Sequence, residues 1–134
     1  MKKHALVFVV MLTAFLNVSA DEQTPQKQIE NIIPILFAKD MDASAKYYVD
    51  VLGFDKGWQS ENFAMVSRDE FRIYLSTSQG KPGSYLWVGV QDVDVFHQEY
   101  KKSGAEIIQP PKDMGHALEM HVRDPSGNIV RFGS

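Results

Sequence analysis

The feature that most constrains this chain is that it contains itself twice. Asp40-Met41-Asp42, a helical stretch and Leu52-Gly53-Phe54 form the first copy. Asp92-Val93-Asp94, a helical stretch and Ser103-Gly104-Ala105 form the second. The copies are offset by 52 residues at their start and 51 at their end. A constant offset marks duplicated structural units that bury their apolar faces against each other. The fold must therefore be built from two similar modules.

Each module parses alike. An apolar run (Ile32 to Ala38; Tyr85 to Val90) precedes a helix. Ala45, Tyr48 and Leu52 in the first helix, and Val93, Phe96 and Tyr100 in the second, recur at i, i+3 and i+7, so each helix buries one stripe. Asp42 and Asp94 are the expected N-caps. Gly53 and Gly104 are the expected left-handed C-terminal residues, and Lys101 and Lys102 suit the negative end of the second helix. Three strands follow each helix: about Phe54–Trp58, Asn62–Ser67 and Phe71–Ser76, then Glu106–Gln109, His116–Arg123 and Asn128–Phe132. Turns fall at Arg68-Asp69-Glu70 and at Asp124-Pro125-Ser126-Gly127, a loop is expected from Pro110-Pro111 to Gly115, and residues 79–83 link the copies. The reading is a single α+β domain over 30–134, with modules 30–79 and 84–134 and helices on one face of the sheet.

Strand alternation separates two faces. Phe71, Ile73 and Leu75 oppose Arg72, Tyr74 and Ser76; Leu86, Val88 and Val90 oppose Tyr85, Trp87 and Gly89; Leu118, Met120 and Val122 oppose Glu119 and His121; Val130 and Phe132 oppose Ile129 and Arg131. The aliphatic set belongs under the helices. A merely solvated opposite face has no need of Tyr74, Tyr85 and Trp87, whereas a ligand cleft does. A dimer interface or a second apolar layer is the alternative. Glu119 and His121 share a face, so the simplest reading is a pair hydrogen-bonded near Arg131, with His116 on the other face.

Composition excludes several classes. With no cysteine in 134 residues there is no disulfide scaffold, thiolate metal site or cysteine nucleophile. A formal charge of −3 without a basic cluster argues against nucleic acid. Lys2, Lys3 and His4, the apolar run Ala5–Leu16 and Val18-Ser19-Ala20 have the three parts of a signal peptide over residues 1–20. That run is too short to span a bilayer. The expectation is an exported, periplasmic protein starting near Asp21, with a disordered leader over 21–29 and no membrane contact after cleavage.

The ordered set Pro34-x-Leu36-x-x-Lys39-Asp40, Tyr47-Tyr48, Leu52-Gly53-Phe54 and Asp124-Pro125-x-Gly127-Asn128 resembles the vicinal oxygen chelate superfamily, which includes glyoxalase I, extradiol dioxygenases and bleomycin-resistance proteins. The resemblance implies two βαβββ modules in a curled mixed sheet. It also implies that the four positions which bear metal ligands in the enzymes fall here on Ile33, Tyr74, Tyr85 and Arg131. Isoleucine has no lone pair and arginine is a fixed cation, so that quartet cannot hold a metal and no cofactor is expected. Asn62-Phe63-Ala64, Ser67-Arg68-Asp69, Leu75-Ser76, Trp87-x-x-Val90 and Arg123-Asp124-Pro125 resemble the bleomycin-resistance branch, which binds without chemistry. What this implies is a homodimer exchanging its N-terminal strand at a Pro34 hinge. A drug-like or bleomycin-type aromatic ligand would lie in the crevices between subunits, with Trp58, Phe63 and Trp87 as aromatic lining. Tyr74, Ser76, Tyr85, Glu119, His121 and Arg131 complete the expected binding set. A cationic ligand group would be drawn to the acidic chain. The competing expectations are a metalloenzyme whose rearranged site uses His116, Glu119 or His121, and an interaction protein whose aromatic face meets another protein.

Overall fold

The computed structural model describes residues 26–134, and Asn31–Ser134 make one compact unit. The expected signal peptide lies outside the described residues. Residues 26–30 carry no helix or strand.

The duplication is visible in hydrogen bonding. β1 (Ile35–Phe37) leads to α1 (Met41–Lys46), which continues as a π-helical segment, Tyr47–Val51. β2 (Asp55–Gln59), β3 (Phe63–Arg68) and β4 (Phe71–Ser76) complete the first module. β5 (Tyr85–Gly89), α2 (Val93–Ser103), β6 (Glu106–Asp113), β7 (Leu118–Arg123) and β8 (Ile129–Gly133) form the second. The two four-stranded mixed sheets have equivalent orders, β1-β4-β3-β2 and β5-β8-β7-β6. In each, the first strand pairs parallel to the last and the other pairings are antiparallel. This is the expected α+β architecture, with the ladder divided into one sheet per module.

Three local expectations are corrected. The N-caps are Asp40, which accepts from Ala43 N, and Asp92, which accepts from Asp94 N and Val95 N; both stand two residues before the expected Asp42 and Asp94. Extended φ/ψ at Asp40 and Asp92 is what lets their carboxylates turn back on the helix. Asp42 instead accepts from Gln59 Nε2. The expected loop at Pro110-Pro111 is strand, because β6 runs on to Asp113 with register shifts around Gln109. β6 is an edge strand, and its register shift between Gln109 and Lys112 falls on the two prolines, where the ladder is interrupted. Gly104 does end α2 left-handed, at φ 81°. Nothing would crowd a Cβ there, so Gly104→Ala pays only for its backbone. Urea denaturation should find it about 1 kcal/mol less stable.

The aliphatic strand faces pack as expected except at two positions: Phe71, which opens β4 directly after the turn, is 80% exposed, and Ile129, read on the opposite face, is buried. Leu36, Tyr48, Leu52, Val66, Ile73 and Leu75 join Val93, Tyr100, Met120, Val122, Val130 and Phe132 in one buried cluster. Phe96, Tyr100 and Phe132 form an aromatic knot with centroids 5.2–5.7 Å apart. The modules are also tied by polar contacts. Tyr48 Oη donates to Asp124 (2.9 Å), Asn128 Nδ2 donates to Phe37 O (2.8 Å), and Lys39 N donates to Ser126 Oγ (2.9 Å). Arg68 reaches Glu99 (2.9 Å) and Leu52 O (2.7 Å), with its guanidinium over Phe96. The Asp124–Asn128 turn is therefore a clasp between modules. With the helices and this clasp on one side, the sheet faces that carry Tyr74, Trp87 and Glu119 are left open.

Candidate functional site

On the first sheet, β2, β3 and β4 bring Trp58, Phe63 and Tyr74 together. Trp58 stacks on Phe63 (5.6 Å, 21°), and Tyr74 meets both rings at 5.9 and 5.2 Å. Trp58 remains 46% exposed although this cluster supports it. Of the other expected lining groups here, Ser76 is corrected. It is fully buried, and its hydroxyl accepts from Ser78 N and Gln79 N, shaping the chain after β4. Ile33 and Pro34 are half-buried just before β1, and Pro34 O accepts from Tyr74 N.

The second sheet centres on Glu119. Its Oε1 accepts from Trp87 Nε1 (3.0 Å) and lies 2.8 Å from His116 Nε2. Its Oε2 accepts from Arg131 Nε (2.9 Å) and Nη2 (2.7 Å) and lies 3.0 Å from His121 Nε2. The expected Glu119–His121–Arg131 group is thus assembled. The placing of His116 on the other face is corrected: it precedes β7, where strand alternation does not yet apply, and turns back onto Glu119. Glu119 has no solvent exposure, yet its cover is the ring of its own partners on an open sheet face. Their bonds, that to His121 foremost, outweigh the desolvation cost and hold its carboxyl at about 2, below the ordinary 4.5.

Two glycines complete this site: Gly89, which strand alternation places on the open face, and Gly133, which it leaves unremarked. Trp87 lies so close over Gly89 and Gly133 that a Cβ at either would come within 2.9–3.2 Å of indole atoms. Two glycines on neighbouring strands make a flat bed, and the bond to Glu119 fixes the ring's rotation on it. A glycine inside a strand is itself a sign of close approach, so this was available in the sequence. Trp87 is still 51% exposed, and Tyr85, two residues before it on β5, is 70% exposed. Among the described residues no ring contact or hydrogen bond joins this group to Trp58, Phe63 and Tyr74. A depression of about 240 Å³ beside α1, lined by Asp42, Lys46, Val49, Asp50 and Gln59 among others, involves none of these residues.

Metal coordination fits this arrangement poorly. Among the described residues no three His, Asp or Glu side chains converge as a ligand set. Glu119, the central donor, already carries two bonds from the Arg131 guanidinium. A divalent ion at Oε2 would stand against that fixed cation.

The depressed acidity of Glu119 carries a stability prediction. A carboxyl whose folded pKa lies below its unfolded value contributes stability that is present above the unfolded value and is lost as pH falls through the folded one. The parent should therefore lose urea resistance more steeply than Glu119→Gln between pH 4.5 and pH 2, and the gap between them should close toward the acid end. Parallel pH profiles would mean that the network adds nothing to folding.

Comparison with known proteins identifies the fold. A protein of Mycolicibacterium smegmatis without an assigned function is 31% identical over 104 residues, covering 75% of this chain and 89% of that one. The bleomycin-binding protein of bleomycin-producing Streptomyces verticillus, solved with copper(II)-bleomycin, superposes with a TM-score of 0.71 at 28% identity, over 79% of this chain and 96% of that one. The bleomycin resistance determinant encoded on transposon Tn5 (TM-score 0.69, 18% identity, 79% and 98% covered) shares the fold. So does lactoylglutathione lyase from Agrobacterium tumefaciens (0.68, 17%, 78% and 93%). The family model matches residues 28–132, nearly all of both modules, and the chain belongs to the glyoxalase/bleomycin resistance protein/dioxygenase superfamily.

Proposed function

We propose that this protein binds and sequesters a small aromatic molecule without a metal and without chemical change. The observation that carries the reading is the Trp87 platform: an indole half open to solvent, laid flat on two glycines and pinned to an ionised carboxylate. Trp87 and Tyr85, two residues apart on one face of β5, leave aromatic surface exposed side by side, and holding the indole in one orientation lowers the entropy cost of stacking a planar ligand on it. Such stacking adds about 0.5–1.5 kcal/mol per ring pair beyond burial. The Trp58–Phe63–Tyr74 cluster supplies a second ring surface. The likeness to a protein that binds copper(II)-bleomycin supports the same reading.

In this reading the working form is an exported, periplasmic homodimer. β1 and β5 are edge strands carrying exposed Ile35 and Tyr85, an arrangement that a second copy would cover. Pro34, directly before β1, supplies the hinge for strand exchange. Native mass spectrometry of purified protein tests the reading, together with fluorescence titration by bleomycin and a panel of aromatic compounds. Expected are a metal-free dimer and saturable quenching of Trp58 and Trp87. Stoichiometric zinc, nickel, iron or manganese would favour a metalloenzyme. A panel without any quenching would favour a protein-contact role.

A further inference from the structure

We infer that the ligand of the Trp87 platform carries an anionic group, and that its class is the aromatic or heteroaromatic carboxylates. The inference rests on the binding reading above and narrows it. The chain as a whole is acidic, which predicts attraction for cations. The charge around the indole runs the other way.

Among the described residues, the carboxylate that bonds the ring is Glu119, which is fully covered and has both oxygens committed to Trp87, Arg131 and the two histidines. It has no face to offer a ligand cation. The groups that remain accessible are donors or cations. Arg131 is the register partner of Trp87 on the neighbouring strand, so its side chain rises beside the indole on the same face. It uses Nε and Nη2 on Glu119, and Nη1 donates to no protein acceptor among the described residues. Lys112 is the register partner of Glu119 on β6, is exposed, and makes no ion pair among the described residues. His116 is 63% exposed beyond its one contact with Glu119. Farther along the same face Glu106 and Arg123 pair with each other and cancel. One hidden carboxylate thus faces two cationic side chains and two imidazoles, arranged around a flat aromatic surface.

A planar ring on Trp87 sets a ring-borne carboxylate beside Arg131 on the neighbouring strand, and a ring extending past Glu119 turns it toward Lys112 two strands farther on. Glu119 does more than neutralise Arg131. By holding Nε and Nη2 it fixes the guanidinium plane and leaves one edge directed outward, which is the geometry in which arginine binds carboxylates well.

Three probes of one shape test this: 2-naphthoate, 2-naphthamide and 2-naphthylmethylammonium, titrated calorimetrically into the protein. The expected order is naphthoate first, about tenfold tighter than the ammonium compound, with the amide between them. Lys112→Gln, a substitution on an exposed edge strand, should cost naphthoate about threefold and leave the amide unchanged. Arg131→Gln should remove the preference for naphthoate, its folding being checked by urea denaturation. Raising salt from 50 to 500 mM should shrink the naphthoate advantage. Equal affinities, or the ammonium compound ahead, overturn the anionic assignment while the aromatic-binding reading stands. If none of the three binds, both are overturned.

Discussion

Asp124→Ala is expected to lower folding stability by about 3–5 kcal/mol. Asp124 is 2% exposed and accepts four hydrogen bonds. Its Oδ1 takes Ser126 N and Asn128 N, both at 2.9 Å, which closes the turn before β8. Its Oδ2 takes Tyr48 Oη at 2.9 Å and Asn128 Nδ2 at 2.8 Å. Burial first, and then the Asp124 carboxylate, push the Tyr48 phenol well above its ordinary range, so it stays protonated as a donor. Alanine strands two backbone N–H groups, a phenol and an amide in a site closed to water, and each stranded donor costs about 1–3 kcal/mol, with partial relaxation keeping the sum below the simple total. The loss should appear in the urea midpoint followed by tryptophan fluorescence. Asp124→Asn keeps an acceptor for the turn but none for Tyr48, and should fall between parent and alanine. Tyr48→Phe loses one bond and should cost about 1–2 kcal/mol. An Asp124→Ala loss below 1 kcal/mol would show that the turn is not the clasp between modules.

Much of this fold is legible in the sequence because it depends on short-range pattern. The helix stripes of Tyr48 and Leu52, and of Val93 and Tyr100, are buried as their spacing predicts. β4 runs from Phe71 to Ser76 as read, and Asp69 and Glu70 form a turn with both φ values positive. What could not be read depends on where backbone direction changes. Asp40 rather than Asp42 caps α1 because the capping residue must still be extended, and spacing alone does not say where extension ends. Pro110 and Pro111 signal a break, yet an edge strand tolerates them; which strand is an edge follows from pairing order. The candidate site divides the same way. The shared face of Glu119 and His121 follows from a period of two. The return of His116 onto Glu119 follows from a bend before β7, where that period does not hold. Ser76 has the parity of the open face, but its hydroxyl is taken by the chain that follows it.

Trp87→Ala should cost an aromatic ligand at least tenfold in affinity while lowering folding stability by only about 1 kcal/mol, because the ring is half-exposed and lies outside the buried cluster. That result alone shows that the indole is present in the site, and a second substitution asks whether its orientation counts. Gly133→Ala keeps the indole and removes its bed: the new methyl would stand 2.9 Å from Trp87 Cζ2 and 3.1 Å from Nε1. The ring must lift, and lifting lengthens the 3.0 Å bond to Glu119. Gly133 has no positive φ, so alanine brings no backbone strain of its own. Affinity should fall about three- to tenfold, and the Trp87 indole N–H resonance should shift as its bond to the carboxylate weakens. Glu119→Gln serves as a cross-check, because it leaves the glycine bed intact and replaces the ionised acceptor with a neutral one. If Gly133→Ala moves the resonance yet binds ligand as well as the parent, a freely rotating indole serves equally well, and the case for a preorganised platform is lost.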